Sequence, residues 1–207
     1  AAQTFAHQAA TALENTRLYS ETRKRLEELE MVNRVSFALR TAKDTREMLP
    51  ILFGEIKTSV DTDTAAIWLY DFETRELIPQ AISGWLINIP KSKFKPNEGI
   101  IGRVFLNGLP HLSNELAEEP LSSIENKHFL QINWSSLAIP IRTSLDTIGV
   151  IMIARKHPQK IESHHIRLLT TLADIAGNAM YRSNLFQQSE EQIRRLTTLR
   201  EMDAAIT

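Results

Sequence analysis

The two ends of the chain carry an unbroken helical pattern of apolar and polar positions. Residues 5–40 and 172–207 contain no proline and a single glycine, Gly177. Little in them would interrupt a helix, so each segment is predicted to form one long helix. At ~1.5 Å rise per residue, each helix would span about 54 Å, which is longer than a compact domain of this size is wide.

A narrow apolar stripe with polar interruptions follows both predicted helices. It recurs at steps of three, four or seven residues, which is typical of a seam between two helices rather than of a broad face packed on a sheet. The remaining charges, such as Arg23 and Glu27, form i,i+4 pairs expected on a solvated face. The residues predicted to form a dimer seam are Leu18, Thr22, Leu29, Leu185, Ser189, Leu196 and Leu199.

The two end segments also match each other. Residues 5–40 align without gaps on residues 172–207, at an offset of 167 over 36 positions. Chance similarity between two helical stretches is the alternative, but the small residues stay in step, as in Ala6/Ala173 and Ala9/Ala176, which favours duplication. We therefore expect one complete unit of an array. The predicted divisions are connector helices at 1–40 and 181–207 and a globular domain at 41–180.

Between these helices, short apolar runs bounded by turn residues predict an α+β domain. Asp44 and Glu47 form a capping box that should open a helix toward Val60, with a kink at Pro50. The strands are predicted at 64–70, 77–83, 110–113, 135–141 and 147–156. A short helix is expected to begin at 99, between irregular segments at 84–98 and 115–131. This order predicts a central antiparallel sheet with helices on one face, flanked by the long connector helices.

Four segments carry a resemblance to a known family. They are GIIGRVFLNGLPHL (99–112), SLAIPI (136–141), IGVIMI (148–153) and IESHHIRLLTTLA (161–173). In order and spacing they resemble a GAF domain, the small-molecule-sensing and dimerising module of many signalling proteins. The resemblance covers most of the globular domain and implies a GAF-like fold, similar to the PAS and profilin-like folds. The flanking helices resemble connectors between successive GAF units of bacterial sensor histidine kinases.

Charge and composition narrow the possible partners. The chain has 24 basic and 25 acidic side chains and a net charge of −1, so we expect no nucleic-acid surface. It has no cysteine, which excludes disulfides and thiol nucleophiles and fits a reducing compartment. No apolar run approaches the ~20 residues that span a bilayer, and the start does not resemble a signal peptide. We therefore expect a soluble, cytoplasmic module without membrane contact.

The resemblance implies several ligand classes that the residues can be compared with. Family members that attach bilins or reduce free methionine sulfoxide use cysteine, so the sequence excludes both. Members that bind cyclic nucleotides carry an Asn-Lys pair and a later Phe followed by Asp-Glu. Asn126 and Lys127 match the pair and are interpreted as ordinary surface residues. The later positions hold Ile161 and His165-Ile166, so cyclic nucleotide binding is unsupported.

Haem, metal binding and catalysis are not indicated either. His111 and His128 are the nearest candidates for a haem ligand, without further support. His157, His164 and His165 lie close in sequence, but neighbours on a helix point about 100° apart and no carboxylate or thiol completes a metal set. The last two are interpreted as exposed residues at a helix start. No nucleophile–base–acid set and no phosphate-binding loop is present.

A cavity is expected on the sheet face opposite the helices, beneath the segment 84–98 and the central loops. Two indoles and a few polar atoms would suit a small, flat or amphipathic ligand. Large aromatic side chains also commonly fill such a space themselves, so both alternatives stay open. The residues predicted to face this cavity are Ile82, Trp85, Ile101, His111, Trp134, Ser136 and Ala138.

Two functions remain in view. The first is a non-catalytic regulatory module, in which two chains pair in parallel through the long helices and the state of the globular part shifts the seam. The output domain, a histidine kinase of a two-component system or a cyclic-dinucleotide enzyme, would then lie downstream of Thr207. The second is a spacer without ligand that holds dimer geometry. The sequence gives neither the ligand nor the number of units.

Overall fold

A five-stranded antiparallel sheet forms the centre of the molecule, as the strand pattern predicts. The computed structural model describes residues 2–122 and 126–206, apart from the side chains of 2–6, 8–10, 24, 196 and 199–206. The strands lie in the order β2-β1-β5-β4-β3, and each overlaps a predicted strand. They are β1 (Thr64–Asp71), β2 (Glu76–Ile82), β3 (His111–Ser113), β4 (Trp134–Arg142) and β5 (Thr147–Lys156).

The described residues also form four α-helices and three short 3-10 turns. The helices are α1 (Ala2–Thr41), α2 (Thr45–Val60), α3 (Gly99–Asn107) and α4 (Ser163–Ile206). The turns are Gly84–Asn88, Leu116–Glu118 and Lys127–Phe129. No helix in the described ranges combines the length and the apolar character that crossing a lipid bilayer requires.

The start of α2 is fixed by the predicted capping residues. The side chain of Asp44 accepts the Glu47 N–H at 2.9 Å. In return, the Glu47 carboxylate accepts the N–H of Lys43 at 2.9 Å, one residue before the N-cap position used in a standard capping box. The helix continues through Pro50 and ends at Asp61, which adopts a left-handed conformation with φ of 49°.

Alternate residues of each strand belong to two separate apolar cores. Ile139 and Ile151 point to the helix face, where α1, α2 and α4 pack. Ala138 and Met152 point to the opposite face, which α3 and the irregular segments cover. We call these covering segments the roof; they comprise residues 84–108, 114–122 and 126–131. The three longer helices share one face, as predicted, while the short α3 lies in the roof.

α1 and α4 run parallel beside each other on the helix face. Met31 of α1 and Leu168 near the start of α4 line one groove. Farther along, the Ser183 hydroxyl of α4 donates to the carbonyl of Lys43, just after α1, at 3.3 Å. Residue numbers therefore rise in the same direction along both helices. As a result, α1 extends beyond the start of α4, α4 extends beyond the end of α1, and the two helices leave the sheet at opposite ends.

Candidate functional site

A cavity of about 40 Å³ lies between the roof and the sheet. Its walls are mainly apolar, and the indole of Trp68 closes one side, with Nε1 donating to the Ser92 carbonyl at 2.7 Å. Small-molecule sites in proteins usually measure about 300–1,000 Å³. A cavity of this size admits about one to three waters and no nucleotide or haem. The lining residues are Trp68, Leu86, Ile89, Phe94, Ile100, Ile101, Leu116, Ser122, Asn126, Leu130 and Met152.

The predicted pocket residues share the roof face, but only one of them lines the cavity. Ile101, on α3, is that residue. Ala138 belongs to the same apolar core, and Ile82 and Trp85 pack against it. Ser136 is buried two residues before Ala138 on β4, and therefore points to the same face.

Trp85 and Trp134 form an aromatic pair beside the cavity. Their ring centroids are 5.8 Å apart and their planes cross at 72°, an edge-to-face arrangement. Nε1 of Trp85 is buried and has no hydrogen-bond partner among the described residues. The two indoles therefore fill space on the roof face, and one of them carries an unsatisfied donor.

His111 lies against a carboxylate instead of an open cavity. On β3 it pairs with Ala138, and its Nε2 is 3.2 Å from the Glu119 carboxylate. Burial acts to raise the pKa of Glu119, but the Ser113 hydroxyl, His111 and the Leu121 N–H outweigh it and hold that pKa below its usual value. Glu119 is therefore ionised near neutral pH and lies within ion-pair distance of the imidazole. His128, the other haem-ligand candidate, is exposed.

Asn126 fastens two parts of the roof together. Its Oδ1 accepts the backbone N–H of Lys91 at 3.0 Å, and its Nδ2 donates to the Lys91 carbonyl at 2.8 Å. The residue is only 4% exposed, so the interpretation of Asn126 as a surface residue is wrong, while Lys127 is exposed as expected. A side-chain amide carries the same donor and acceptor as a peptide group. The Asn126 amide therefore pairs with both backbone groups of Lys91, as a neighbouring strand would.

The segment held by Asn126 has a second attachment. Nζ of Lys91 is 2.6 Å from the Glu98 carboxylate, whose other oxygen accepts the N–H of Lys95 at 2.9 Å. The hydrogen bond from Lys91, followed by that from the Lys95 backbone, lowers the pKa of Glu98. These contacts close the roof on the side of the segment 91–98.

Replacing Asn126 by alanine should therefore loosen the roof. We expect Asn126→Ala to lower the free energy of unfolding by about 2 kcal/mol, because two buried hydrogen bonds to Lys91 are lost. Lys127→Ala changes the exposed neighbour and should stay within about 0.5 kcal/mol of the unaltered chain. Urea unfolding followed by circular dichroism measures both. Equal stabilities of the two variants would contradict a stabilising role for the two Asn126–Lys91 hydrogen bonds.

The histidines at the start of α4 are arranged differently from the sequence expectation. His165 is 7% exposed, so its interpretation as a solvent-exposed residue is wrong. Its Nδ1 accepts the N–H of Glu162 at 3.0 Å, and its ring centroid is 3.8 Å from that of His164. The expected divergence of the two side chains does not occur. The described residues contain no group of three or more His, Asp or Glu placed to hold a metal ion.

The predicted seam residues lie mostly outside the domain core. Leu18, Leu29 and Leu185 are 53%, 61% and 48% exposed, and Thr22 and Ser189 are exposed too. Leu196 and Leu199 fall outside the residues whose side chains are described. On the polar surface of α1, the expected ion pairs Arg23–Glu27 and Arg25–Glu21 form at 3.0 and 2.9 Å. Among the described side chains, several exposed leucines thus lie on the part of α1 that leaves the sheet, and Leu185 lies on the corresponding part of α4.

Comparison with known proteins adds a family to this geometry. The family model described as GAF domain matches residues 42–180. A curated relative, the Nif-specific regulatory protein of Herbaspirillum seropedicae, is 24% identical over 181 residues. That match covers 82% of this chain but 33% of the relative. The chain thus spans about a third of the length of that regulatory protein.

Two solved structures show the same fold. The GAF domain of a phosphoenolpyruvate-protein phosphotransferase from Coxiella burnetii superposes with a TM-score of 0.67 at 16% identity, covering 79% of this chain and 98% of that one. A free methionine-R-sulfoxide reductase from Neisseria meningitidis, solved with its substrate, gives a TM-score of 0.64 at 15% identity, covering 76% and 90%. The fold therefore occurs both as a domain of a phosphotransferase and in a reductase.

Proposed function

The chain belongs to the GAF domain family, and on that premise we propose that it is a regulatory module that relays a signal along paired helices. The Nif-specific relative and other signalling proteins contain such domains, which supports a regulatory role. We place the module in the cytoplasm. The chain has no cysteine, so it forms no disulfide and needs no oxidising compartment. No nucleophile–base set was found in the sequence, so the proposed function is non-catalytic.

The observation that carries this proposal is the course of α1 and α4. They lie parallel on one face of the sheet and leave it at opposite ends, so a change in the sheet domain reaches both helices. A signal arriving along the exposed part of α1 would pass the domain before continuing along α4. This arrangement suits a unit in an array, with α1 shared with a preceding unit and α4 with a following one.

We further propose that two chains pair in parallel through these helices. The exposed leucines at positions 18, 29 and 185 lie on the predicted seam, and burying them against a second chain is favourable. Thr22 and Ser189 interrupt the stripe, which keeps the seam less stable than a continuous leucine row. Two packings of such a seam can then lie within a few kcal/mol of each other.

Whether the domain senses a ligand or acts as a spacer depends on the roof. A cavity of about 40 Å³ favours the spacer, because the aromatic and aliphatic side chains already fill most of the space. A sensing role requires that the roof open around a larger ligand. A melting screen with nucleotides, haem and small metabolites separates the two, since a ligand at ~100 Kd adds about 2.7 kcal/mol to the stability.

The pairing is tested by light scattering on the full chain. We expect the unaltered chain to be a dimer and the double variant Leu18→Glu/Leu29→Glu to be a monomer, because four carboxylates would face each other in the seam. The control is Leu13→Glu/Ser20→Glu, which adds the same charge on the opposite side of α1 and should remain dimeric. A monomeric unaltered chain, or loss of the dimer in both variants, would rule out this seam.

A further inference from the structure

Arg142, the last residue of β4, contacts two separate parts of the domain. Its guanidinium makes a two-pronged ion pair with Asp174 of α4, with Nε 3.2 Å from Oδ1 and Nη2 3.2 Å from Oδ2. Its third nitrogen, Nη1, donates to the carbonyl of Gly108 at 3.5 Å. Among the side chains that the structure describes, no other has a hydrogen bond to both α4 and the end of α3.

The position of Gly108 depends on the position of α3, because Gly108 ends that helix. It ends α3 in a left-handed conformation with φ of 64°, and its N–H donates to the Val104 carbonyl at 3.0 Å. Near the other end of the same helix, Ile100 and Ile101 line the cavity. α3 has nine residues, about two and a half turns joined by i→i−4 hydrogen bonds, and rigid secondary elements of this kind carry coupling between sites. A displacement at the cavity therefore also moves Gly108.

Asp174 lies where α4 packs tightly against the end of β4. It is one turn before Gly177, whose Cα faces the carbonyl of Arg142. Arg142 thus contacts α4 through its side chain and its backbone, and contacts the roof through Gly108. The guanidinium presents five donors in a fixed planar fork, so it can hold both carboxylate oxygens and a third acceptor at once.

We propose that Arg142 couples the roof to α4, so that a displacement of α3 changes how α4 packs on the sheet. This inference rests on the proposed relay function, because it names the residue that connects the cavity to α4. When Gly108 moves, the guanidinium turns to keep that carbonyl as its third acceptor. Turning weakens the two-pronged pair with Asp174, and α4 is released from that contact.

Hydrogen exchange measured by mass spectrometry on the full chain tests the coupling. Ile101→Ala removes apolar contacts at the cavity and loosens the roof. We expect it to raise exchange in α3 and also in residues 170–180 of α4, the latter by roughly 2- to 30-fold. In the Arg142→Lys background the α3 response should persist and the α4 response should disappear, because an ammonium does not reproduce the planar fork.

Arg155→Lys is the matched control. Arg155 lies on the neighbouring strand β5 and donates to the Lys160 carbonyl at 3.1 Å, and among the described residues it has no hydrogen bond to α3 or α4. Lysine at this position keeps the positive charge that acts on His165. In that background the α4 response to Ile101→Ala should be unchanged. If Ile101→Ala fails to fold by circular dichroism, Ile101→Val provides the same perturbation in milder form.

Two results would overturn the proposal. One is an α4 response that survives Arg142→Lys, and the other is a roof variant that leaves α4 unchanged in the otherwise unaltered chain. Light scattering on the same samples measures whether the chain is a dimer, so the coupling and the proposed dimeric relay are tested separately. If the chain is a monomer and still shows the Arg142-dependent response, the proposed dimer seam is wrong and the coupling through Arg142 is supported.

Discussion

Replacing Gly177 by alanine is expected to lower the free energy of unfolding by about 3 kcal/mol, because α4 has no room for a side chain there. A Cβ at this position would lie 2.0 Å from the carbonyl oxygen of Arg142 and 2.7 Å from its carbonyl carbon. Both atoms belong to the backbone of β4, so the clash cannot be relieved by rotating a side chain. Either the strand or the helix must shift, and core contacts between them are lost.

Gly54→Ala is the matched control for this substitution. Gly54 also lies inside a helix, α2, but a Cβ there meets no atom within 4 Å. Alanine favours a helix over glycine by about 1 kcal/mol, so the control should be more stable than the unaltered chain. Urea unfolding of both variants measures the difference. If Gly177→Ala proved as stable as Gly54→Ala, the close contact between α4 and β4 would be wrong.

The contrast between the two glycines shows what the sequence could and could not predict. The pattern predicts that both lie in helices, since apolar residues recur around each at helical spacing. It does not predict that one of them touches the sheet backbone, because that depends on how closely α4 approaches β4. Gly177 stands among small residues, Ala173, Ala176 and Ala179, and this composition was the only sequence signal of a close approach.

The strands could be predicted because their signal is local. β4 and β5 are apolar runs bounded by turn residues, and their short connection predicts the hairpin that the structure contains. The faces also followed from the alternation, which places Ser136 and Ala138 on the roof side. The path of the roof could not be predicted, because the roof has few regular hydrogen bonds and no periodic pattern.

Asn126 illustrates why the roof could not be predicted. Its partner, Lys91, is 35 residues away in the chain, and the bond joins a side chain to a backbone with no periodic pattern. The same limit applies to the cavity. Ile101 was expected to face it and does, whereas Trp68 and Phe94 were not expected there, because their contacts depend on where the segment 84–98 crosses the sheet.

The proposed relay and the packing of α4 concern the same small region. The end of β4 touches α4 at Gly177 through its backbone and at Asp174 through the Arg142 side chain. A change that reaches this strand end therefore acts directly on the helix that leaves the domain. The start of α4 is fixed differently, by the buried His165, whose ring accepts the Glu162 N–H. We therefore expect the stability of that end to depend on pH.

His165→Gln is expected to remove a large part of the acid sensitivity of the domain. In the folded chain, burial and then the charges of His164 and Arg155 lower the pKa of His165 to about 4, although Glu162 acts in the other direction. In the unfolded chain the pKa is near 6.5. The folded state therefore favours the neutral ring, whose Nδ1 accepts the Glu162 N–H.

The direction of the pH effect follows from these two values. Because the folded pKa is the lower one, the contribution of His165 is fully present above about pH 6.5 and is lost as the pH falls toward about 4. The loss amounts to about 3 kcal/mol at its largest. Glutamine at this position accepts the same N–H, as in a capping box, but does not titrate. The variant should therefore keep its helix start and lose less stability in acid.

The measurement is the free energy of urea unfolding at about pH 7.5 and about pH 4.5, where we expect the unaltered chain to lose about 2–3 kcal/mol more than His165→Gln. Glu98 and Glu119, whose pKa values are lowered on folding, also cost stability in acid. Their contribution is common to both proteins and cancels in the comparison. His128→Gln, at an exposed histidine, should behave like the unaltered chain. Equal acid losses in the unaltered chain and His165→Gln would contradict the lowered pKa of His165 in the folded chain.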